Sequence, residues 1–299
     1  MKYYFLKLFL MILITMIMNK ITWYLKLARL DRPVGIFLLI WPTLWALLLA
    51  SDGNLKIFDL CIFLAGVVLT RSAGCVINDI FDRNIDSKVQ RTSLRPLAQN
   101  KISLMGAVIF FIILGILSLC LLLALEPYAV KIVFLCSALL MIYPLTKRLF
   151  VIPQFFLALA FSSSILVAYA HTQQSFPLEA WILFFANFCW VIAFDTIYAM
   201  ADYQDDLKIE IYSSPKFFKN YTIPIILLCY ALFFLFLSVL IEKQEIFFFN
   251  LFFGFYVMLF VKKYLNNENI QSDGYIKLFN LNNYLGMIIT ILIIYEYLM

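Results

Sequence analysis

The chain of 299 residues is 64% hydrophobic and only 14% charged, with a formal net charge of +5 and a mean hydropathy of +0.93; soluble domains run at roughly 45–50% apolar and about 25% charged. A water-soluble fold cannot bury that much apolar surface, so the composition excludes a soluble enzyme and points to an integral membrane protein. The basic surplus follows membrane flanks, and its distribution predicts no nucleic-acid partner.

Residues 1–18, "MKYYFLKLFLMILITMIM", have the outline of a signal peptide. However, Lys7 interrupts the apolar run and no small-residue cleavage site precedes "NKITWYLKLARLDRP". The segment reads as an optional N-terminal extension, either interfacial or ahead of a true start at Met18, followed by one transmembrane domain over 19–299. Apolar runs then recur near 34–51, 57–77, 103–125, 128–146, 151–171, 179–201, 221–241, 245–264 and 276–298. Each approaches the ~20 residues that cross a bilayer as a helix. They predict an all-α polytopic fold of nine transmembrane helices, separated by turn and charge formers such as "SDGN", "TQQSFP" and "NNEN". Six cysteines lie singly within these runs, without a C-x-x-C pair, and read as small buried hydrophobes.

Orientation follows the bases, because cytoplasmic flanks carry the Lys and Arg excess. With the segment before the first predicted helix inside, only Lys56, Lys131 and Lys243 of the 23 basic residues fall on the outer side. The loop at 78–102, the short link "TKRL" and the loop at 202–220 then share the cytoplasmic face.

Charge concentrates in two of those loops. In "GCVINDIFDRNIDSKVQRTSLRP", Asn78, Asp82 and Asp86 are spaced i, i+4, i+8, one stripe of a helix, with Asp79 about a quarter-turn away. In "FDTIYAMADYQDD", Asp202 and Asp206 repeat the i, i+4 spacing at the inner end of 179–201, and Asp195 lies two turns deeper. Like charges at this spacing repel, so two facing stripes imply a neutralising divalent cation. Oxygen ligands favour Mg²⁺, which takes one or two carboxylates, waters and substrate phosphate. Arg91, Arg95, Lys147 and Arg148 on the same side could hold the phosphate oxygens left free. Together they describe a pyrophosphate site.

Arg71 precedes Asn78 by seven residues, so it shares nearly the same face about 10 Å deeper. An intramembrane arginine reads as functional, receiving an anion such as a planar carboxylate; the alternatives are snorkelling or pairing with Asp195. Tyr143, four residues before Lys147, faces a cation or anchors the interface. His171 falls on the outer side and receives no role.

These residues resemble the UbiA superfamily of intramembrane aromatic prenyltransferases. "NDIFDRNID" has the N-D-x-x-D-x-x-x-D form of its first motif, and "DYQDD" the D-x-x-x-D core of its second. "ARLDRPVGIFLLIWPTLWAL", "RSAGCVIND", "RTSLRPL", "YPLTKR" and "DTIYAMADYQDD" are most similar to the 4-hydroxybenzoate polyprenyltransferase branch, over residues 22–215. "LKIEIYSS" departs from it at Glu210 and Tyr212, where the branch has Gly and Lys. The resemblance implies nine helices around a central cavity open to membrane lipid, with two cytoplasmic cap loops. Its substrates would be polyprenyl diphosphate and 4-hydroxybenzoate, and its place a bacterial inner membrane, in ubiquinone synthesis. It implies a catalytic set of Asn78, Asp79, Asp82, Asp86, Asp202 and Asp206. Of these, Asp82, Asp86, Asp202 and Asp206 would bind diphosphate through Mg²⁺. Arg91, Arg95, Lys147 and Arg148 would contact the diphosphate, Tyr143 the substrate, and Arg71 the aromatic acid. Another aromatic acceptor (homogentisate, a dihydroxynaphthoate or haem) and a cation transporter are the alternatives.

Overall fold

The computed structural model describes residues 2–208, 212–267 and 269–298, with side chains at all of these except 2–6, 8–10, 12–14, 16–17, 140, 141, 143–145, 147 and 298. Among the described residues every regular element is helical. In chain order these are α1 (Lys2–Leu27), α2 (Val34–Ala50), α3 (Ile57–Asp86), α4 (Leu104–Leu122), α5 (Pro127–Leu149), α6 (Gln154–Thr172) and α7 (Leu178–Met200). The short α8 (Tyr203–Asp206) and α9 (Ser214–Phe218) follow, then α10 (Thr222–Val239), α11 (Gln244–Leu265) and α12 (Ser272–Leu298).

Every predicted apolar segment falls on one of these helices. Among the described residues, seven spans are long and apolar enough to cross a membrane: α3, α4, α6, α7, the continuous Ser214–Val239 stretch, α11 and α12. Val34–Ala50 and Pro127–Leu139 are shorter apolar helices. The apolar run expected to end near residue 77 is part of a longer helix, α3, which is continuous to Asp86 over 30 residues. At 1.5 Å per residue that is about 45 Å, more than the ~30 Å hydrocarbon layer. Its last turns therefore carry the first acidic motif out of the membrane on a rigid rod.

The core lies where α2, α6, α7, α10 and α12 meet. Trp190 stacks on Phe233 at 5.4 Å between centroids and Trp45 tilts against both. Bulky indoles bring N–H groups into a region without water, and α12 supplies the acceptors. Trp190 Nε1 and the Tyr230 hydroxyl both donate to Asn282 Oδ1, at 2.9 and 2.8 Å. Trp41 Nε1 donates to Asn283 Oδ1 at 2.9 Å and Trp45 Nε1 to Thr290 Oγ1 at 2.8 Å. Gly286 lets the helices approach: a methyl there would lie 2.2 Å from Trp41 Cδ1. Gly286→Ala should therefore lower stability by about 1–3 kcal/mol through overpacking. Thermal unfolding in detergent checks this; an unchanged midpoint would mean that the α2–α12 contact yields.

The cysteine expectation holds for Cys75 and Cys229, which are buried, but Cys61 and Cys120 are exposed. Their helices cross lipid, so a small apolar thiol is as compatible with the outer surface as with the core.

Two loops cap the end of the bundle that holds the acids. The first, 87–103, is anchored by Leu97 and Ile102 in an apolar cluster with Leu27, Val76, Ala107 and Leu114. The far end of the second is fixed where the hydroxyls of Ser214 and Thr196 hydrogen-bond at 2.8 Å and Ser214 N donates to Gln154 Oε1 at 3.0 Å. Both ends of the acid-bearing region are thus tied to the bundle.

Candidate functional site

The end of α3 places Asp79, Asp82 and Asp86 in buried positions, at 1%, 3% and 5% exposure. Carboxylates so far from water need partners, and the first cap loop provides them. Arg95 Nη1 donates to both oxygens of Asp86, at 2.9 and 2.8 Å, and to Asp79 Oδ1 at 3.1 Å. Arg29, just after α1, grips Asp79 from the other side: its Nη2 donates to both oxygens at 2.8 and 2.9 Å. Arg29 has φ 60°, a left-handed conformation unusual for a bulky residue.

The second cluster differs from the continuous stripe expected at the end of 179–201. Helix α7 stops at Met200, and Asp202, with φ −102° and ψ 1°, opens the new turn α8. Aspartate favours such cap positions over helix interiors. The helical i, i+4 relation survives as a single turn, with Asp206 N donating to Asp202 O at 2.9 Å. Asp206 is buried, and its backbone oxygen accepts from Lys216 Nζ at 3.0 Å. Asp195 is half-buried rather than fully buried.

The two loops are joined across the site. Arg91 forks onto Asp202, with Nε donating to Oδ1 at 2.7 Å and Nη2 to Oδ2, while Nη1 donates to the Tyr198 hydroxyl. The guanidinium also lies 4.5 Å over the Tyr198 ring. One residue earlier, Gln90 N donates to Asp205 Oδ2 at 3.1 Å. That bond holds the Asp205 carboxyl below its ordinary range, with Lys208 adding to the effect. Burial opposes the charge on Arg91, but Tyr198 and Asp202 outweigh it and hold the guanidinium above its usual value. For Arg95 the same opposition is overcome mainly by Asp79 and Asp86. Both arginines are permanent cations.

The bases expected on phosphate, Arg91 and Arg95, thus neutralise acids of the same site. Arg148 stays freer: its side chain is 45% exposed, its Nη2 donates to Phe81 O at 3.0 Å and lies 4.0 Å from Asp82 Oδ1. The side chains of Tyr143 and Lys147, and all of Glu210, fall outside the described residues. Tyr198 is the residue that motif reading missed, and Arg29, an alternative to Arg71 for the acceptor's carboxylate on sequence grounds, instead pairs with Asp79. Tyr198 could have been found, because it precedes Asp202 by one helical turn.

Deeper on α3, the half-buried Arg71 makes no ion pair or hydrogen bond among the described residues, and its Nε is buried without a partner. Asn78 Oδ1 is likewise buried and unpartnered. The donor and the acceptor share one helix face, where a polar ligand would meet both. His171, at the end of the bundle opposite the acids, accepts from Glu126 N at 3.2 Å and lies 3.3 Å from Asp59 Oδ1, a link between helices.

The donor chemistry fits Mg²⁺. Carboxylates of Asp82, Asp86, Asp202 and Asp206 and the orphaned Asn78 oxygen are hard ligands. No three acidic, His or Cys side chains converge among the described residues.

A model of the UbiA prenyltransferase family matches residues 39–284. The chain is 47% identical over 203 residues to the 4-hydroxybenzoate octaprenyltransferase of Shewanella loihica, covering 68% of this chain and 71% of that protein. It is 41% identical over 280 residues to that of Histophilus somni, covering 93% and 97%. Among solved structures, a UbiA homologue from Archaeoglobus fulgidus bound to GPP and Mg²⁺ superposes with a TM-score of 0.71 at 18% identity, covering 91% of this chain and 99% of that one.

Proposed function

The chain belongs to the UbiA prenyltransferase family, and from that premise we propose that it transfers a polyprenyl chain from polyprenyl diphosphate to 4-hydroxybenzoate, a membrane step of ubiquinone synthesis. The new bond forms at the ring carbon ortho to the hydroxyl and meta to the carboxylate. The observation that carries the reading is the N-D-x-x-D-x-x-x-D motif at the end of α3, set against Asp202 through Arg91, in a chain alike along most of its length to 4-hydroxybenzoate octaprenyltransferases. The bias of Lys and Arg supports a cytoplasmic site, and the bacterial relatives support an inner membrane.

In this reading Asp82, Asp86, Asp202 and Asp206 hold Mg²⁺, which supplies positive charge to the diphosphate when bound. Arg91, Arg95, Lys147 and Arg148 hold the remaining phosphate oxygens. Arg91 and Arg95 are already charged and lie among these carboxylates, bonded to Asp202 and Asp86. The bond between the first prenyl carbon and the diphosphate oxygen breaks, and its electron pair leaves with the diphosphate. Asn78 stands beside the allylic cation. Arg71 holds the acceptor's carboxylate two turns deeper, which turns the ortho carbon of the phenol ring toward that cation. The ring supplies the electron pair for the new carbon–carbon bond, and loss of the ring proton restores aromaticity. The capped, lipid-walled site keeps water from quenching the cation.

Membranes carrying the protein, given a polyprenyl diphosphate, Mg²⁺ and 4-hydroxybenzoate, should yield a lipid-extractable aromatic product, and chelation of the metal should stop it. Product from homogentisate or a dihydroxynaphthoate alone would overturn the acceptor assignment. Absence of product from every acceptor would overturn the transferase itself.

A further inference from the structure

Arg71 is oriented without any polar contact among the described residues, and the groups that orient it are specific. Its guanidinium carbon lies 5.4 Å from the centroid of the Phe161 ring on α6, within the range where a cation is attracted to an aromatic face. The guanidinium also meets α2 at a position without a side chain: a methyl on Gly35 would lie 2.9 Å from Nη2, 3.2 Å from Nε and 3.4 Å from Cζ. The guanidinium therefore rests against bare α2 backbone at Gly35 while facing a buried ring on α6. Neither contact uses a donor.

We propose that Gly35 and Phe161 are positioning residues that set the plane of the Arg71 guanidinium, and so determine the protein's preference for an aromatic acceptor that carries a carboxylate. The inference rests on the reading of Arg71 as the carboxylate-binding residue. A guanidinium distinguishes a carboxylate from a single point charge only if its donors keep a fixed fork. Fixing that fork by hydrogen bonds to protein would use the donors themselves. A glycine and an aromatic face fix it and leave the N–H groups for the ligand, consistent with the unpartnered buried Nε. A lone functional arginine beside a half-buried glycine on a neighbouring helix thereby becomes a shaped anion site.

The geometry makes Gly35 a clean probe. The atoms a methyl would meet are the end of a flexible side chain, not backbone, so Gly35→Ala can be accommodated by tilting the guanidinium, with the fold retained. Phe161→Leu keeps an apolar contact and removes the ring face. In purified protein that keeps its thermal midpoint, each change should raise the Michaelis constant for 4-hydroxybenzoate about three- to tenfold, the scale of a charge-assisted bond weakened rather than lost. The constant for prenyl diphosphate should stay within about twofold, well under one decade of affinity. Competitive inhibition by benzoate should weaken in parallel, and inhibition by the uncharged benzamide should not change.

Arg71→Ala is measured alongside. If Arg71→Ala leaves the acceptor constant and benzoate inhibition unchanged, the carboxylate is held elsewhere, and the reading of Arg71 fails together with the inference. If Arg71→Ala weakens both but folded Gly35→Ala and Phe161→Leu do not, Arg71 binds the acceptor without these two residues, and only the inference is overturned. A Gly35→Ala protein that weakens benzoate and benzamide equally also overturns it, since that pattern is a narrowed pocket rather than a turned guanidinium.

Discussion

Asp82→Asn and Asp202→Asn should each reduce turnover by about a hundredfold or more while the protein still folds. A metal acting on a departing phosphate group contributes several kcal/mol to the reaction, and each ~1.4 kcal/mol is a decade of rate. Asparagine keeps the shape and removes the charge that draws the metal. The two variants should also differ from each other. Asp82 lies on α3, 4.0 Å from the half-exposed Arg148, and is not the carboxylate that Arg91 grips across the cap loops. Loss of the Asp202 charge in addition weakens the hold on Arg91, a contact that joins the cap loops. Asp202→Asn should therefore make the segment around residues 88–95 more sensitive to limited proteolysis, an effect absent in Asp82→Asn. Near-normal turnover of folded Asp82→Asn protein at saturating Mg²⁺ would remove Asp82 from the metal site.

Asp79→Ala should damage stability more than either of those substitutions. Its carboxylate is 1% exposed and is shared by Arg29 and Arg95, so removing it leaves two guanidinium groups facing each other without the anion between them. Breaking a buried pair costs about 3–5 kcal/mol. Arg29 keeps 26% of its side-chain surface exposed and can turn to water, so the low end of that range, about 3 kcal/mol, is expected. A lowered unfolding midpoint, partly restored by the second substitution Arg29→Leu, would match a structural clamp. Full stability with lost activity would instead place Asp79 among the groups that touch substrate.

Much of this was legible in the sequence because membrane proteins write two signals plainly. Length and hydropathy located the helices, since a bilayer demands about 20 apolar residues regardless of fold. The spacing of Asn78, Asp82 and Asp86 gave a stripe that α3 does form. Periodicity could not tell where α3 ends, because the rules that stop an apolar run are not those that stop a helix. Nor could it see the break at Asp202, which coincides with the tertiary contact to Arg91. The pairing of Arg29 with Asp79 spans 50 residues, and nothing local announces it. Nothing in the sequence around Gly35 marks its use, which depends on Arg71 of another helix lying against it.

The joints between α12 and the tryptophans imply an order of events during synthesis. Trp41 and Trp45 leave the ribosome early, Trp190 much later, and Asn282, Asn283 and Thr290, which accept their N–H groups, nearly last. Until then these indoles must find provisional partners or remain unsatisfied in a medium without water. Arrival of the final helix is thus the step that satisfies the buried indoles of α2 and α7. Because α12 contacts both α2 and α7, it also braces the helix that bears Gly35 against the one that leads into Asp202. A chain inserted in every respect but its last helix would carry those indole N–H groups without their acceptors, a late and specific difference between the unfinished fold and the finished one.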